Sequence, residues 1–141
     1  MFHEVADDPG GETPEELYER YERELREAVE ARGLDAVASE SEVEAPTLRA
    51  LLEGEAPELT LEEAASVLAA VEGNPDAETI AALSRDALLM GMTTAVLDVE
   101  AVESGIEGEL EAREIQSKVE GRFPMTLREY ALLHRFIESR K

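Results

Sequence analysis

The side chains with the widest chemical capacity lie late in the chain. Arg113, Gln116, Ser117 and Lys118 fall within one helical stretch, and Arg122, Arg128, Arg135, Arg140 and Lys141 follow. Between Ala112 and Lys141 there are seven bases and four acids, whereas the whole chain carries a net charge of −21. That local reversal is informative. Arginine can pair bidentately with guanine, glutamine with adenine, and further bases can meet phosphates. Arg113, Gln116, Lys118, Arg122 and Arg128 are therefore candidate contacts for double-stranded DNA. The same bases could equally balance Glu114, Glu120 and Glu129, or the acidic first half of the chain.

Other chemistries have little material. Cysteine is absent, which excludes disulfides, thiol catalysis and Cys-based zinc sites. The two histidines, His3 and His134, lie at opposite ends of the sequence, so no metal site or acid–base relay is expected. Gly10-Gly11 is too short for a phosphate loop, and no lysine follows it. Glu15/Glu16 and Glu62/Glu63 read as helix-start charges favoured by the dipole. No nucleophile–base–orienter set stands out, and the chain is expected to be a non-enzyme without a cofactor or small-molecule substrate.

Thirty-four acids face 13 bases. Only Lys118 and Lys141 are lysines. Such an excess repels itself in dilute salt and is comfortable at about 1 M salt, where the Debye length is about 3 Å. The composition resembles that of cytosolic proteins of extreme halophiles. No 18-residue apolar run suggests a membrane span, and a cytoplasmic location is the expectation.

Helix signals punctuate the chain. Met1 to Glu12, acidic and Gly/Pro-containing, is expected as a disordered tail. Thr13-Pro14-Glu15-Glu16 is a capping box, and Leu17, Tyr18, Tyr21, Leu25, Ala28 and Val29 recur at helical spacing up to Gly33. A short helix from Leu34 to about Glu40, a turn over residues 41–44, and a helix from about Pro46 to Gly54 follow. Thr60-Leu61-Glu62-Glu63 caps a fourth helix, which Gly73-Asn74-Pro75 ends. The program then repeats: a long helix capped by Asp76, a short one capped by Asp98, a turn over residues 104–109, a helix from about Glu111 to Glu120, and a last helix capped at Thr126. Leu17 pairs with Ile80, Leu34-Asp35 with Leu97-Asp98, Ala38 with Ala101 and Val43 with Ile106 at a constant offset of 63. Four further residues enter the second turn, and one drops out of the next loop. No stretch alternates with period two, so no sheet is expected. The predicted fold is all-α, a compact bundle of about eight helices, with units at 13–75 and 76–141 sharing one core across residues 76–97.

A short helix with Ala38, a tight turn ending at Val43, and a helix with Leu48 and Leu51 ending at Gly54 resemble the Cro/C1-like (lambda-repressor-like) helix-turn-helix. The second unit is a looser match with a longer turn, although Gly105 sits where such turns favour glycine. The whole chain also resembles a family of small acidic haloarchaeal proteins, a likeness that implies no activity. The repressor resemblance implies that the helix after each turn would enter a major groove. In the first unit that helix offers only Arg49, amid residues 1–75 with 21 acids and five bases. The second unit is the better candidate.

Residues 88–97 form the most apolar stretch. It reads either as a central strut or as a dimer interface. In the second case Leu89, Met90, Met92 and Val96 would make the contacts, with Gly91 allowing close helix approach. Two functions stay open: a DNA-binding regulator acting through the second unit at high salt, or a helix-turn-helix scaffold that has lost DNA binding and serves a homodimer or another protein.

Overall fold

Among the described residues, Thr-Glu capping boxes start three of eight α-helices. In the computed structural model, which describes residues 1–55 and 57–141, the Thr13, Thr60 and Thr126 side chains accept from the backbone N–H groups of Glu16, Glu63 and Glu129. Each glutamate accepts in return from the threonine N–H at 2.9 Å. Asp76 and Asp98 cap two more helices through single acceptances at 2.8 Å. These reciprocal bonds satisfy N–H groups that a helix start leaves unpaired.

The helices are α1 (Pro14–Arg32), α2 (Leu34–Glu40), α3 (Ala45–Leu52), α4 (Leu61–Ala69), α5 (Ala77–Ala95), α6 (Val99–Gly105), α7 (Ala112–Val119) and α8 (Leu127–Ser139). Among the described residues there is no strand, and the fold is an all-α bundle. Helix order repeats after α4. α1 packs against both α4 and α8, and α5 packs against both α8 and α4, so the contacts have an approximate two-fold pattern. At its centre Leu61 N–H donates to Met125 C=O at 2.7 Å, and Leu127 N–H donates to Leu59 C=O at 2.8 Å.

The repeat aligns differently from the sequence pairing in one place. α1 turns into α2 through Gly33 alone, whereas three residues, Val96 to Asp98, join α5 to α6. The connecting turns hold residues 41–44 and 106–111. Two of the four extra residues therefore precede α6, and two lie in the turn. Helix boundaries and burial then match Val37 with Val102 and Val43 with Leu110, in place of Ala38 with Ala101 and Val43 with Ile106. Gly105 is the last residue of α6 and not a turn residue. A β-carbon there would lie 1.9 Å from Phe136 Cζ, so the glycine admits the ring of α8.

The first twelve residues are not a disordered tail. They form two 3-10 turns, Phe2–Glu4 and Pro9–Gly11. Phe2 is fully buried and meets Tyr21 edge-on at 5.4 Å. Tyr21 leans on Tyr130 at 5.8 Å, and Tyr130 stacks on His134 at 5.5 Å. Arg135 donates to the Glu12 carbonyl at 2.9 Å, and Arg20 pairs with the Glu12 carboxylate at 2.7 Å. One aromatic anchor and these bonds offset the entropy of ordering a Gly/Pro-containing segment.

One hydrophobic core spans both halves. α5 contributes the stripe of Ile80, Ala81, Ser84, Leu88, Gly91 and Met92 and packs against both α4 and α8, with α1 on the other side of that pair.

Candidate functional site

The candidate DNA contacts are not one free cationic face. Arg113 is exposed near the start of α7 and forms no ion pair among the described residues. Gln116, also exposed, donates to Glu120 at 3.4 Å. Lys118 is only 16% exposed; its Nζ lies 2.6 Å from Glu129 and 3.9 Å from Glu114. Arg122 pairs with Glu120 at 2.8 Å. Arg128 turns toward the first half, its guanidinium 4.3 Å over the Tyr18 ring and 4.0 Å from Glu58. Arg49, on α3, is exposed. Further along, Arg140 covers the Phe136 ring and Lys141 pairs with Glu138.

The apolar helix α5 divides differently from its expected interface set. Leu89, Met90 and Val96 are exposed, Met90 by 70% and Val96 by 89%. Met92 is buried in the chain's own core. Gly91 serves an internal approach, since a β-carbon there would lie 2.7 Å from Ile137 Cγ2. Leu83 is a further exposed apolar residue on α5. Nothing in the periodicity separates these, because the helix is apolar on nearly every side.

Beside that surface lies a cleft of ≈ 690 Å³ between α4, α5, the end of α2 and the end of α7. Ala81, Ala82, Leu89 and Val119 supply its apolar lining. Glu40, Glu42, Glu62, Glu78, Asp86 and Glu120 supply carboxylates around it. Ser66 accepts the Glu42 N–H at 3.0 Å and so ties the turn after α2 to α4. The cleft's cation, Arg85, is already engaged. It donates to the Lys118 carbonyl at 2.9 Å and pairs with Glu62 at 3.0 Å.

The two-fold pattern supplies a counterpart. A smaller cleft, ≈ 380 Å³, is lined by Pro14, Glu15, Arg128 and Leu132, which occupy the places of Ala77, Glu78, Glu62 and Ser66. Tyr18, in the place of Ala81, is buried there beneath Arg128. Leu132 stands where the larger cleft has Ser66. The charges are exchanged as well: Arg85 and Glu62 in one half answer Glu22 and Arg128 in the other. Burial pushes the Glu22 carboxyl above its ordinary range, opposed by Arg26 and Arg128. One half therefore narrows with its own side chains what the other leaves wider.

His134 is almost completely buried. Among the described residues neither ring nitrogen has a partner at full hydrogen-bond geometry. Burial lowers its pKa to about 4; nearby Glu138 and a weak backbone contact with His3 oppose that shift, while the charges of His3 and Lys141 add to it. The fold thus brings together the two histidines that the sequence holds furthest apart. Among the described residues no three His, Asp or Glu side chains are arranged to hold a metal ion. Among the described residues no single helix is long and apolar enough to cross a membrane.

Fold and site together define an all-α chain whose helix order repeats, with an acid-rimmed cleft in each half, the larger between α4 and α5. The chain belongs to the family of unknown function DUF5791, whose sequence pattern matches residues 17–140. No curated protein and no solved structure matches it.

Proposed function

We propose that the chain is a helix-turn-helix scaffold that binds protein and not DNA. The observation that carries this reading is the engagement of its cations. Lys118, only 16% exposed, is held by Glu129, while Arg122 and Arg128, 59% and 51% exposed, are engaged at the surface by Glu120 and by Tyr18 with Glu58. Breaking those pairs to meet phosphates would forfeit interactions already made and leave acids beside the backbone. Two features support the scaffold part: α2 and α3 are joined by a four-residue turn, and α6 and α7 recur in the same order. The apolar side chains exposed on α5 supply contact area of the kind that protein partners bury.

The DNA reading keeps one favourable observation, exposed Arg113 near the start of α7. Fluorescence anisotropy of a labelled random-sequence duplex, at about 0.15 M and about 1 M KCl, decides between them. Circular dichroism at each salt establishes that the chain is folded. The expected result is no saturable binding at either salt. Saturable binding that Arg113→Ala abolishes would reverse the assignment.

A further inference from the structure

We infer that the open cleft between α4 and α5 receives a basic, amphipathic segment of a partner protein, with a leucine or aromatic side chain entering over Ala81. This rests on the protein-binding reading and names its site and partner chemistry.

Four observations converge. The lining is apolar at Ala81, Ala82, Leu89 and Val119, so an apolar side chain gains by leaving water there. The volume, ≈ 690 Å³, lies within the roughly 300–1,000 Å³ typical of sites that enclose a ligand. The rim carries Glu40, Glu42, Glu78, Asp86 and Glu120, and Arg85 is already bound to Glu62 and the Lys118 carbonyl. A phosphate or carboxylate ligand would meet that rim unfavourably, whereas arginine or lysine would be attracted.

The fourth observation is internal. In the related half, Tyr18 and Leu132 stand where the open cleft has Ala81 and Ser66, and the Arg128 guanidinium lies over the Tyr18 ring. The chain itself therefore shows which chemistry suits this geometry: an aromatic ring, a leucine and a guanidinium. A partner supplying these groups from outside would use the helix-in-groove mode, with apolar anchors flanked by charge.

The probe is a synthetic amphipathic peptide of about 16 residues with Leu and Tyr on one face and Arg on its flanks. Its control replaces Leu and Tyr by Ser and keeps the charge. The decisive variant is Ala81→Tyr with Ser66→Leu, which copies the related half and leaves net charge unchanged. The expected result is saturable binding of the probe in calorimetry, weakened at least about tenfold by the double variant and similarly by the Ser control. Equal binding by wild type and folded double variant, equal binding of both peptides, or no binding of the probe would each overturn the proposal. If the double variant does not fold, amide shifts in the wild-type protein decide. Perturbations confined to Ala82, Val119 and Gly121 support the site, and shifts spread over the acidic surface refute it. Failure here with no DNA binding leaves the protein-binding reading standing, so the two outcomes are distinguishable.

Discussion

Thr60 and Thr126 face each other across an antiparallel bridge, although 66 positions separate them in the sequence. Each also caps its own helix, so one short crossing ties the starts of α4 and α8 together. Glu129 has a double part: it closes the Thr126 box and holds Lys118 at 2.6 Å.

Thr126→Ala should therefore cost about 1 kcal/mol, the usual value of a lost helix cap. Glu129→Ala should cost more, because it also leaves the largely buried Lys118 ammonium without its nearest partner. Urea denaturation in about 1 M KCl measures both. Equal losses would show that the Lys118 pair contributes nothing.

His134 gives the fold a pH dependence of defined sign. Its folded pKa is about 4, below the ordinary 6.5, so the unfolded chain binds the extra proton between those values. The contribution is complete above pH 6.5 and is lost as pH falls toward 4, at roughly 3 kcal/mol in total. Carboxylate repulsion in so acidic a chain works in the opposite direction, since acid relieves it. His134→Phe keeps the stack on Tyr130 and removes two unpartnered nitrogens. Thermal melts from pH 7 to 4.5 should show the variant more stable than wild type, by a margin that grows as pH falls. A constant margin would rule out the assigned titration.

Val96 closes α5 in the left-handed region at φ 56°, where Gly33 closes α1 at φ 93°. A β-branched side chain there is strained by about 1–2 kcal/mol. Val96→Gly relieves that strain and adds backbone entropy to the unfolded state, roughly 0.5–1 kcal/mol in the other direction. The net expectation is a stabilisation of up to about 1 kcal/mol, read as a raised urea midpoint with an unchanged slope. A lowered midpoint would mean that Val96 makes a contact outweighing its strain.

The helices were legible in the sequence because caps and stops act within a few residues. Thr13, Thr60, Asp76, Asp98 and Thr126 do what their spacing announces. The fate of the bases was not legible. Lys118 and Glu129 are eleven residues apart on different helices, and Arg128 meets Tyr18 only through the packing of α1 on α8. The order of the first residues depends on a single side chain, Phe2, finding a place beside Tyr21. The cleft was present in the repeat as two mismatches, Tyr18 against Ala81 and Leu132 against Ser66. They gain meaning only once the fold shows that both positions border one cavity.

The two-fold pattern has a consequence for how such a molecule can specialise. Identical subunits in a symmetric pair must accept every substitution in duplicate, so plugging one hollow plugs its twin. Here both halves belong to a single polypeptide, and each position can change without its mate. Tyr18 can narrow one side while Ala81 leaves the other wide, a division of labour that a homodimer of the same architecture could not reach.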